Sequence, residues 1–378
     1  MERKIAVKVL HLNAGNETGG GMHHILSLLH HLNHERYMLG VLEKKEMYHR
    51  AKDLGIKTVY FPHRIKTSIL LLKNMQKFIK EKGIKIVHSH GPRANVYANI
   101  LQRLTSIHWV VTVHSDPRKD FLGKGFYGEI LSRLNINTLK NADNIITISD
   151  PLQAYVTEIG VPASKVTCTY NGIDFHKKPT QYYTRDMFGL TDEHFVFLMV
   201  GRLEKIKGHI LAFRSLAKLL GKHPNCHLLL VGDGTLKEEL QRQASHLNIS
   251  DHVHFLGYYD DVSPFYEIAD VKLLTSLSES FPLVLLEAAR SKLPVISTNV
   301  GSVSRLIPKQ SLGWLIQPNE VQRLMNAMEQ AYIFKKENKL QYMGNQLHNY
   351  AKEKFSLDNF AKNIAKVYEK SFKLKSSV

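Results

Sequence analysis

The segments "VGRLEKIKG" (200–208) and "SESFPLVLLE" (278–287) hold the residues best suited to chemistry. In the first, Arg202 and Lys207 stand in a loop directly after an apolar run. Two fixed cations in one loop neutralise a diphosphate and stabilise it as it departs; the same pair also suits a solvated surface. In the second, Glu279 and Glu287 lie eight residues apart, separated by Ser280-Phe281-Pro282 and an apolar stretch that begins at Leu283. Pro282 suits the first turn of a helix starting near Phe281–Pro282, and the amides at such a start form an anion site. Two turns further on, Glu287 can present a carboxylate to ribose hydroxyls, and Glu279 in the loop before the helix can touch a sugar. A solvent-facing Glu287 fits less well, because Leu285, Leu286, Ala288 and Ala289 surround it. In "VGDGTLKEEL" the residues Gly232, Asp233 and Gly234 make a turn that opens a helix, a pattern a helix start with a nearby Asp cap also explains. Finally, Gly19, Gly20 and Gly21 in "NAGNETGGGMHHILSLLHHLNH" follow a short strand and open an amphipathic helix. They suit either a phosphate cradle or a tight turn.

These residues need elements to position them. Short β-branched runs alternate with helical patterns: "KIAVKVLHLN", "YMLGVLE", "KTVYF", "KIVHSH", "HWVVTVHS", "NIITIS" and "KVTCTYNGI" read as strands. Between them lie helix candidates at 21–33, 66–82 and 94–104. The pattern is that of βαβ units on a parallel sheet. A polar, turn-rich stretch, "PTQYYTRDMFGLTDE", then reads as a linker, and the alternation restarts with "FVFLMVG", "CHLLLVG", "VHFLG", "DVKLLTS" and "LPVISTN". Two open α/β domains follow, residues 1–178 and 179–357. The stretch from Asp358 to Lys375 reads as one amphipathic helix with Phe360, Ile364, Val367, Tyr368 and Phe372 on one face; it suits packing on either domain. Ligands of open parallel sheets bind beyond the carboxyl ends of the strands, so the expected site is a cleft between two facing domains.

Composition narrows the function class. The 378 residues are 43% hydrophobic, which suits globular cores. The longest apolar runs fall far short of the roughly 18 residues of a membrane span, and the first residues show no signal-peptide core. Cys168 and Cys226 stand alone in strand-like runs, which points to buried thiols in a reducing compartment rather than a disulfide framework or zinc site. Net charge is +17 and uneven: residues 1–178 carry 26 Lys/Arg against 14 Asp/Glu, the remainder 25 against 20. A basic first half points to an anionic partner, and a membrane surface or lipid phosphate is the most useful form of that expectation.

Taken together, the segments resemble the family 4 glycosyltransferases, retaining nucleotide-sugar enzymes of the GT-B fold with two Rossmann-like domains. The matching pieces are the glycine-rich first loop, "VHSHG", "VVTVHS", "ITIS", "NGID", "VGRLEKIKG", "LLLVGDG", "HFLG" and the E-x7-E segment "ESFPLVLLE". They run in the family's order over nearly the whole chain. The resemblance implies that Arg202 and Lys207 hold the donor diphosphate, Glu279 contacts the transferred sugar and Glu287 binds the nucleotide ribose. It places the distal phosphate at Ser280, Phe281, Pro282 and Leu283, the turn at Gly232 and Asp233 beside the donor, and the base at Leu256 and Gly257. On the first domain it implies an active-site role for His114, with His90, Arg93 and Gly19–Gly21 on the acceptor side of the cleft. The helix from residue 358 would return to the first domain.

The implied reaction moves a sugar, from a UDP-sugar for preference, to a hydroxyl of a glycan or lipid-phosphate-linked acceptor in cell-envelope polysaccharide synthesis, at the cytoplasmic face of the membrane. No cofactor and no metal are expected: the sequence has no Asp-x-Asp, and the pairs His23-His24 and His30-His31 form no ligand set with a carboxylate. The first loop departs from the family's Gly-Gly-small-Glu pattern, reading Gly-Gly-Gly-Met-His-His, which leaves acceptor identity open. Two rivals fare worse. A dinucleotide-dependent oxidoreductase needs G-x-G-x-x-G after the first strand, a spacing that Gly15, Gly19, Gly20 and Gly21 do not keep. A nucleic-acid-binding module fits the charge but lacks any recognisable signature, so no nucleic acid partner is expected.

Overall fold

The computed structural model describes residues 7–17, 19–32, 35–63, 69–118 and 125–375. The chain divides into two units, residues 1–172 with 357–378, and residues 173–356. The first contains β1 (Lys8–Asn13), α1 (Gly19–His31), β2 (Tyr37–Val41), α2 (Glu46–Asp53), β3 (Thr58–Tyr60), α3 (Ile69–Lys82) and β4 (Ile84–His90). It continues with α4 (Pro92–Leu104), β5 (His108–Val113), α5 (Gly125–Leu139), β6 (Asn144–Thr147), α6 (Asp150–Glu158) and β7 (Val166–Cys168). The strands form one parallel sheet in the order β3-β2-β1-β4-β5-β6-β7. Buried on both faces, they are the near-continuous apolar runs expected of a parallel sheet. Parts of two helix candidates, residues 66–68 and residue 33, lie outside the described residues.

The second unit holds β8 (Phe195–Val200), α7 (His209–Leu220), β9 (Cys226–Val231), α8 (Lys237–His246), β10 (Val253–Gly257), α9 (Ser263–Ile268) and β11 (Val271–Leu274). After these come α10 (Leu283–Arg290), β12 (Val295–Thr298), α11 (Val303–Leu306), β13 (Trp314–Ile316), α12 (Val321–Lys336) and α13 (Lys339–Phe355). Its parallel order, β10-β9-β8-β11-β12-β13, repeats that of the first unit without the last strand. In both sheets the order reverses next to the first strand, between β1 and β4 and between β8 and β11. That reversal is the switch point where loops diverge and leave a crevice.

Two boundaries differ from the sequence reading. Residues 173–178 belong to the second unit, because Ile173 pairs with Ser356 and its amide donates to the Phe355 carbonyl. The stretch expected as a linker is instead packed into that unit: Arg185 pairs with Asp270 at 3.1 Å, and the Tyr183 ring lies 4.9 Å from that of Phe265. The last helix, α14 (Leu357–Lys375), returns to the first unit. Its buried Phe360, Ile364, Val367 and Tyr368 cluster with Val9, Leu28, Ile86, Val110 and Ile146 on the face of the sheet that α1 also covers. The other face carries Leu10, Leu12, Val87, Trp109 and Val111, packed with residues of α3, α4 and α6.

Candidate functional site

In the second unit, the loops after β8, β9 and β10 interlock through glycines. A Cβ on Gly232 (φ +138°) would collide with the Gly201 carbonyl, and one on Gly234 would lie 2.6 Å from the Leu203 oxygen. The Gly232 amide donates to Gly257 at 2.7 Å and the Gly201 amide to Val231 at 3.0 Å. Asp233 accepts from the Gly234 amide at 2.8 Å, so it fixes this turn, while α8 begins only at Lys237. Gly208 (φ +65°) faces the Thr275 carbonyl so closely that any Cβ would clash, which presses the 205–207 turn onto the end of β11.

That contact sets Lys207 beside Glu279. The Lys207 ammonium donates to Glu279 Oε1 at 2.7 Å, and the Ser276 hydroxyl donates to the same oxygen at 2.7 Å. Arg202, by contrast, is largely exposed and paired with Glu204 at 2.7 Å; the expected basic pair is one half-buried cation tied to a carboxylate and one solvent-facing cation. The loop carrying Glu279 rests on Gly301, where a Cβ would collide with the carbonyls of Glu279 and Ser280. Ser280 also accepts from the Ser302 amide at 2.9 Å, and Thr298 donates to Ser276 at 2.6 Å. Sequence reasoning did not single out Gly301, Thr298 or Ser276; only the β11–β12 pairing brings them under the loop.

The helix starts later than expected. Pro282, in extended conformation, is its N-cap and Leu283 its first residue, while Phe281 is buried with its ring 5.0 Å from Phe355. Glu287 is half-buried and accepts from the Tyr266 hydroxyl at 2.9 Å. Beneath it, the ammonium of Lys272 on β11 is wholly buried and donates to the carbonyls of Leu273 (3.1 Å) and Leu198 (3.4 Å). Burial pushes Lys272 down to about 7 against the opposing pull of the Glu287 carboxylate. Burial, then the Lys207 and Lys272 charges, lower His209 to about 4. Neither Lys272 nor His209 was visible as a site residue, because an apolar run hides a single buried polar side chain. Leu256 and Gly257 are half-buried at the end of β10, followed by exposed Tyr258.

In the first unit, β1, β4 and β5 present histidines at alternating positions. His11 pairs in register with His88, and Asn13 with His90, whose other neighbour is Thr112. Residues two apart share a sheet face, so the face that is apolar at Val9, Ile86 and Val110 becomes imidazole-lined towards the carboxyl ends. His114, half-buried just past β5, has Nε2 3.0 Å from His90 Nδ1. Edge-on against His114 at 4.6 Å stands His24 of α1, whose Nδ1 lies 2.8 Å from Asn171 Oδ1. Burial lowers all of these rings: His11 and His24 to about 3, His114 to about 4, His88 and His90 well below the usual imidazole value. One nitrogen from each of His11, His88 and His90 lies within 4.8 Å of the others, a spacing that would also suit a cation. The sequence reading, which found no ligand set, did not see this cluster.

A cavity of about 730 Å³ opens beside His90, Arg93 and His114, with Asn13, Glu17 and Glu43 on its polar wall and Val96, Leu131 and Leu134 on its apolar one. Arg93 is held by an ion pair to Glu43, with its second terminal nitrogen 2.6 Å from His63 Nε2. The triple glycine forms the first turn of α1 and is not in the cavity wall; Asn16 and Glu17 take that place. A Cβ on Gly21 would collide with the Glu17 carboxylate, which accepts from Asn13 Nδ2 at 2.6 Å. The bare glycine thus leaves room for the protein's own carboxylate at this helix start, where an anion is favoured.

The sequence profile of "Glycosyltransferase Family 4" matches residues 18–177, and that of "Glycosyl transferases group 1" matches residues 184–354. Among similar proteins, the UDP-Gal:alpha-D-GlcNAc-diphosphoundecaprenol alpha-1,3-galactosyltransferase of Escherichia coli is 28% identical over 71% of this chain and 73% of its own. The D-inositol 3-phosphate glycosyltransferase of Corynebacterium urealyticum is 27% identical over 77% of this chain and 73% of its own. In fold, the Anabaena protein Alr3699/HepE, crystallised with UDP, superposes with a TM-score of 0.84 at 21% identity, covering 96% of this chain and 100% of that one.

Proposed function

The chain belongs to the family 4 glycosyltransferases, of GT-B fold, and we propose that it transfers a sugar from a UDP-sugar, with retention, to a hydroxyl of a glycan or lipid-diphosphate-linked acceptor. The observation that carries this reading is the Lys207–Glu279 pair at the β8/β11 switch point. Both bonds to Glu279 fall on Oε1, so Oε2 can accept from a hydroxyl of the donor sugar. The ammonium of Lys207 then stands where the diphosphate gathers charge on leaving, and the N-terminus of α10 adds its dipole to the distal phosphate. Glu287, oriented by Tyr266, would take the ribose hydroxyls, and the β10 end at Leu256 and Gly257 the base. The relatives support UDP as the carrier, since the galactosyltransferase uses UDP-Gal by name and the Anabaena protein was crystallised with UDP.

The chemistry proposed needs no divalent cation: Lys207, Arg202 and the helix start supply the positive field. The cavity of the first unit, with Arg93 and His114 on its wall, would take the acceptor. Because the named galactosyltransferase acts on a diphosphoundecaprenol-linked sugar, a lipid-linked envelope precursor is the acceptor class proposed. No described helix is long and apolar enough to cross a membrane; the basic surplus of the first half and exposed Ile69 and Leu70 on α3 support attachment to an anionic membrane surface.

A thermal-shift titration with nucleoside diphosphates and nucleotide sugars tests this, since a ligand that binds only the folded state raises its stability. UDP is expected to raise the melting temperature in EDTA as well as in Mg²⁺. Lys207→Ala is expected to cut turnover by about 10²–10³-fold. Tight binding of duplex DNA with no response to any nucleotide would overturn the reading.

A further inference from the structure

Lys272 stands inside the apolar strand "VKLL" and is wholly buried. Its neighbours Val271 and Leu273 point into the core formed with α7 and α12, so its own side chain lies on the opposite face of the sheet. There the ammonium donates to the carbonyls of Leu198 (3.4 Å) on β8 and Leu273 (3.1 Å) on β11. These two strands flank the switch point, and both end within two residues of those carbonyls, β8 at Val200 and β11 at Leu274. The loops that follow carry Lys207 and Glu279. The ammonium therefore lies beneath the place where both loops leave the sheet.

An ammonium has three N–H donors, and both acceptors bonded here are neutral carbonyls. The charges that act on it belong to the donor site: Glu287 of α10 favours its proton, Lys207 opposes it and Glu279 favours it. His209, at the start of α7, feels the Lys207 and Lys272 charges in turn. Tyr266 of α9 donates to Glu287 and is itself acted on by Arg290. Two carboxylates against one lysine leave a modest net pull, and burial outweighs it, which takes Lys272 down to about 7. Near neutrality the protein alone therefore holds this proton weakly. Further negative charge above the strand ends tips the balance towards the ammonium.

We propose that Lys272 is a binding residue of the donor site that does not touch the donor: from beneath the ends of β8 and β11 its ammonium supplies charge to a bound nucleoside diphosphate, and it keeps its proton for as long as that anion stays. This role rests on the placing of the donor diphosphate at Lys207. The proton comes from solvent as the diphosphate binds and returns there as it leaves. Such coupling is reciprocal: the factor by which the diphosphate tightens the proton is the factor by which the proton tightens the diphosphate. Lys207 and the start of α10 act on phosphate at any pH near neutrality, whereas the charge at Lys272 depends on both pH and occupancy. A lysine that only covered two strand carbonyls would move no proton when a nucleotide binds.

The test is calorimetric titration of UDP into the full chain in EDTA, at one ionic strength, in PIPES and in Tris, whose ionisation enthalpies differ. At pH 7.5 the wild type is expected to take up about 0.7 proton per UDP bound, and its affinity to fall about 10-fold between pH 6.5 and pH 8.5. The terminal phosphate of UDP titrates at about pH 6, and its own contribution is common to wild type and variant. Lys272→Met, an apolar side chain of similar length, is expected to show no uptake and no such fall, and to bind UDP about 10-fold more weakly than wild type at pH 6.5. Uptake below about 0.2 proton in the wild type, or equal uptake in Lys272→Met, would overturn the proposal and leave the donor site standing. No binding of UDP at any pH would overturn both. The wild-type titration decides even if the variant does not fold.

Discussion

Lowering the pH from 7.5 to 5.0 is expected to unfold the first unit well before the second. His11, His24, His88 and His90 are each at most 4% exposed, and burial holds all four far below the usual imidazole range. A histidine in the unfolded chain titrates near 6.5, so between that value and the depressed folded one the unfolded state binds more protons. Stability is then full above about pH 6.5 and falls as the pH drops. At pH 5.0 each unfolded histidine gains about 2 kcal/mol from protonation, whereas His11 and His24, lowered to about 3, and His114, lowered to about 4, gain almost nothing when folded, so these three cost about 6 kcal/mol. That is on the scale of the 5–15 kcal/mol that holds a typical domain together. In the second unit His209 and His227, both lowered to about 4, give about two-thirds of that loss. The chain has two tryptophans, one in each unit: Trp109, wholly buried and donating to Ser89 at 2.7 Å, and half-buried Trp314, donating to Gln330 at 2.6 Å. Urea unfolding followed by the fluorescence of Trp109 in Trp314→Phe isolates the first unit, and the difference from wild type reports the second. With a slope of about 2 kcal/mol per M, the Trp109 midpoint should fall by about 3 M, against about 2 M at Trp314. A Trp109 midpoint that moved by less than about 1 M, or no more than that of Trp314, would refute the claim that these rings stay neutral when folded.

Two further predictions concern the second unit. Gly208→Ala combines a left-handed backbone with a collision at the Thr275 carbonyl; it should destabilise by about 1–3 kcal/mol in urea titration and weaken UDP binding, through displacement of the turn that carries Lys207. Lys272 is charged when unfolded up to about pH 10.5 but loses its proton near 7 when folded, so the unfolded chain binds more protons across that window and stability should rise with pH through it. Lys272→Met should abolish that rise and leave the protein at least as stable as wild type at pH 7; an unchanged slope would show that the rise has another source.

Which features the sequence disclosed follows from how far apart their causes lie. The strands were legible because a parallel sheet buried on both faces writes itself as apolar runs. Only β13, three residues long and carrying Trp314, escaped notice. The periodicity of α14 was equally plain, yet its destination was not, since the face of Phe360, Ile364 and Tyr368 fits any apolar partner. At the site, the E-x7-E spacing and "GRLEKIKG" located Glu279, Glu287 and Lys207, but not that Lys207 and Glu279 are bonded to each other while Arg202 faces solvent. The histidines were in view, and "VHSH" even shows the alternation. What was missing was register: nothing local says that His11 lies beside His88, or that Tyr368, 280 residues further on, closes the gap between them.

The same strand order carries two opposite electrostatic solutions. At the β8/β11 switch point the chain places fixed charge, Lys207 against Glu279, and such a place holds an anion by replacing one member of an existing pair. At the β1/β4 switch point it places rings that burial keeps neutral, bonded to one another. A neutral imidazole offers a hydroxyl a donor or an acceptor without competing for phosphate, and its strength does not depend on salt. The division follows from desolvation: five histidines this close cannot share protons in the core, whereas a lysine and a glutamate in contact stabilise each other's charge. Binding of a nucleotide at the second unit should therefore weaken with ionic strength. Any acid sensitivity of the reaction should arise on the histidine side.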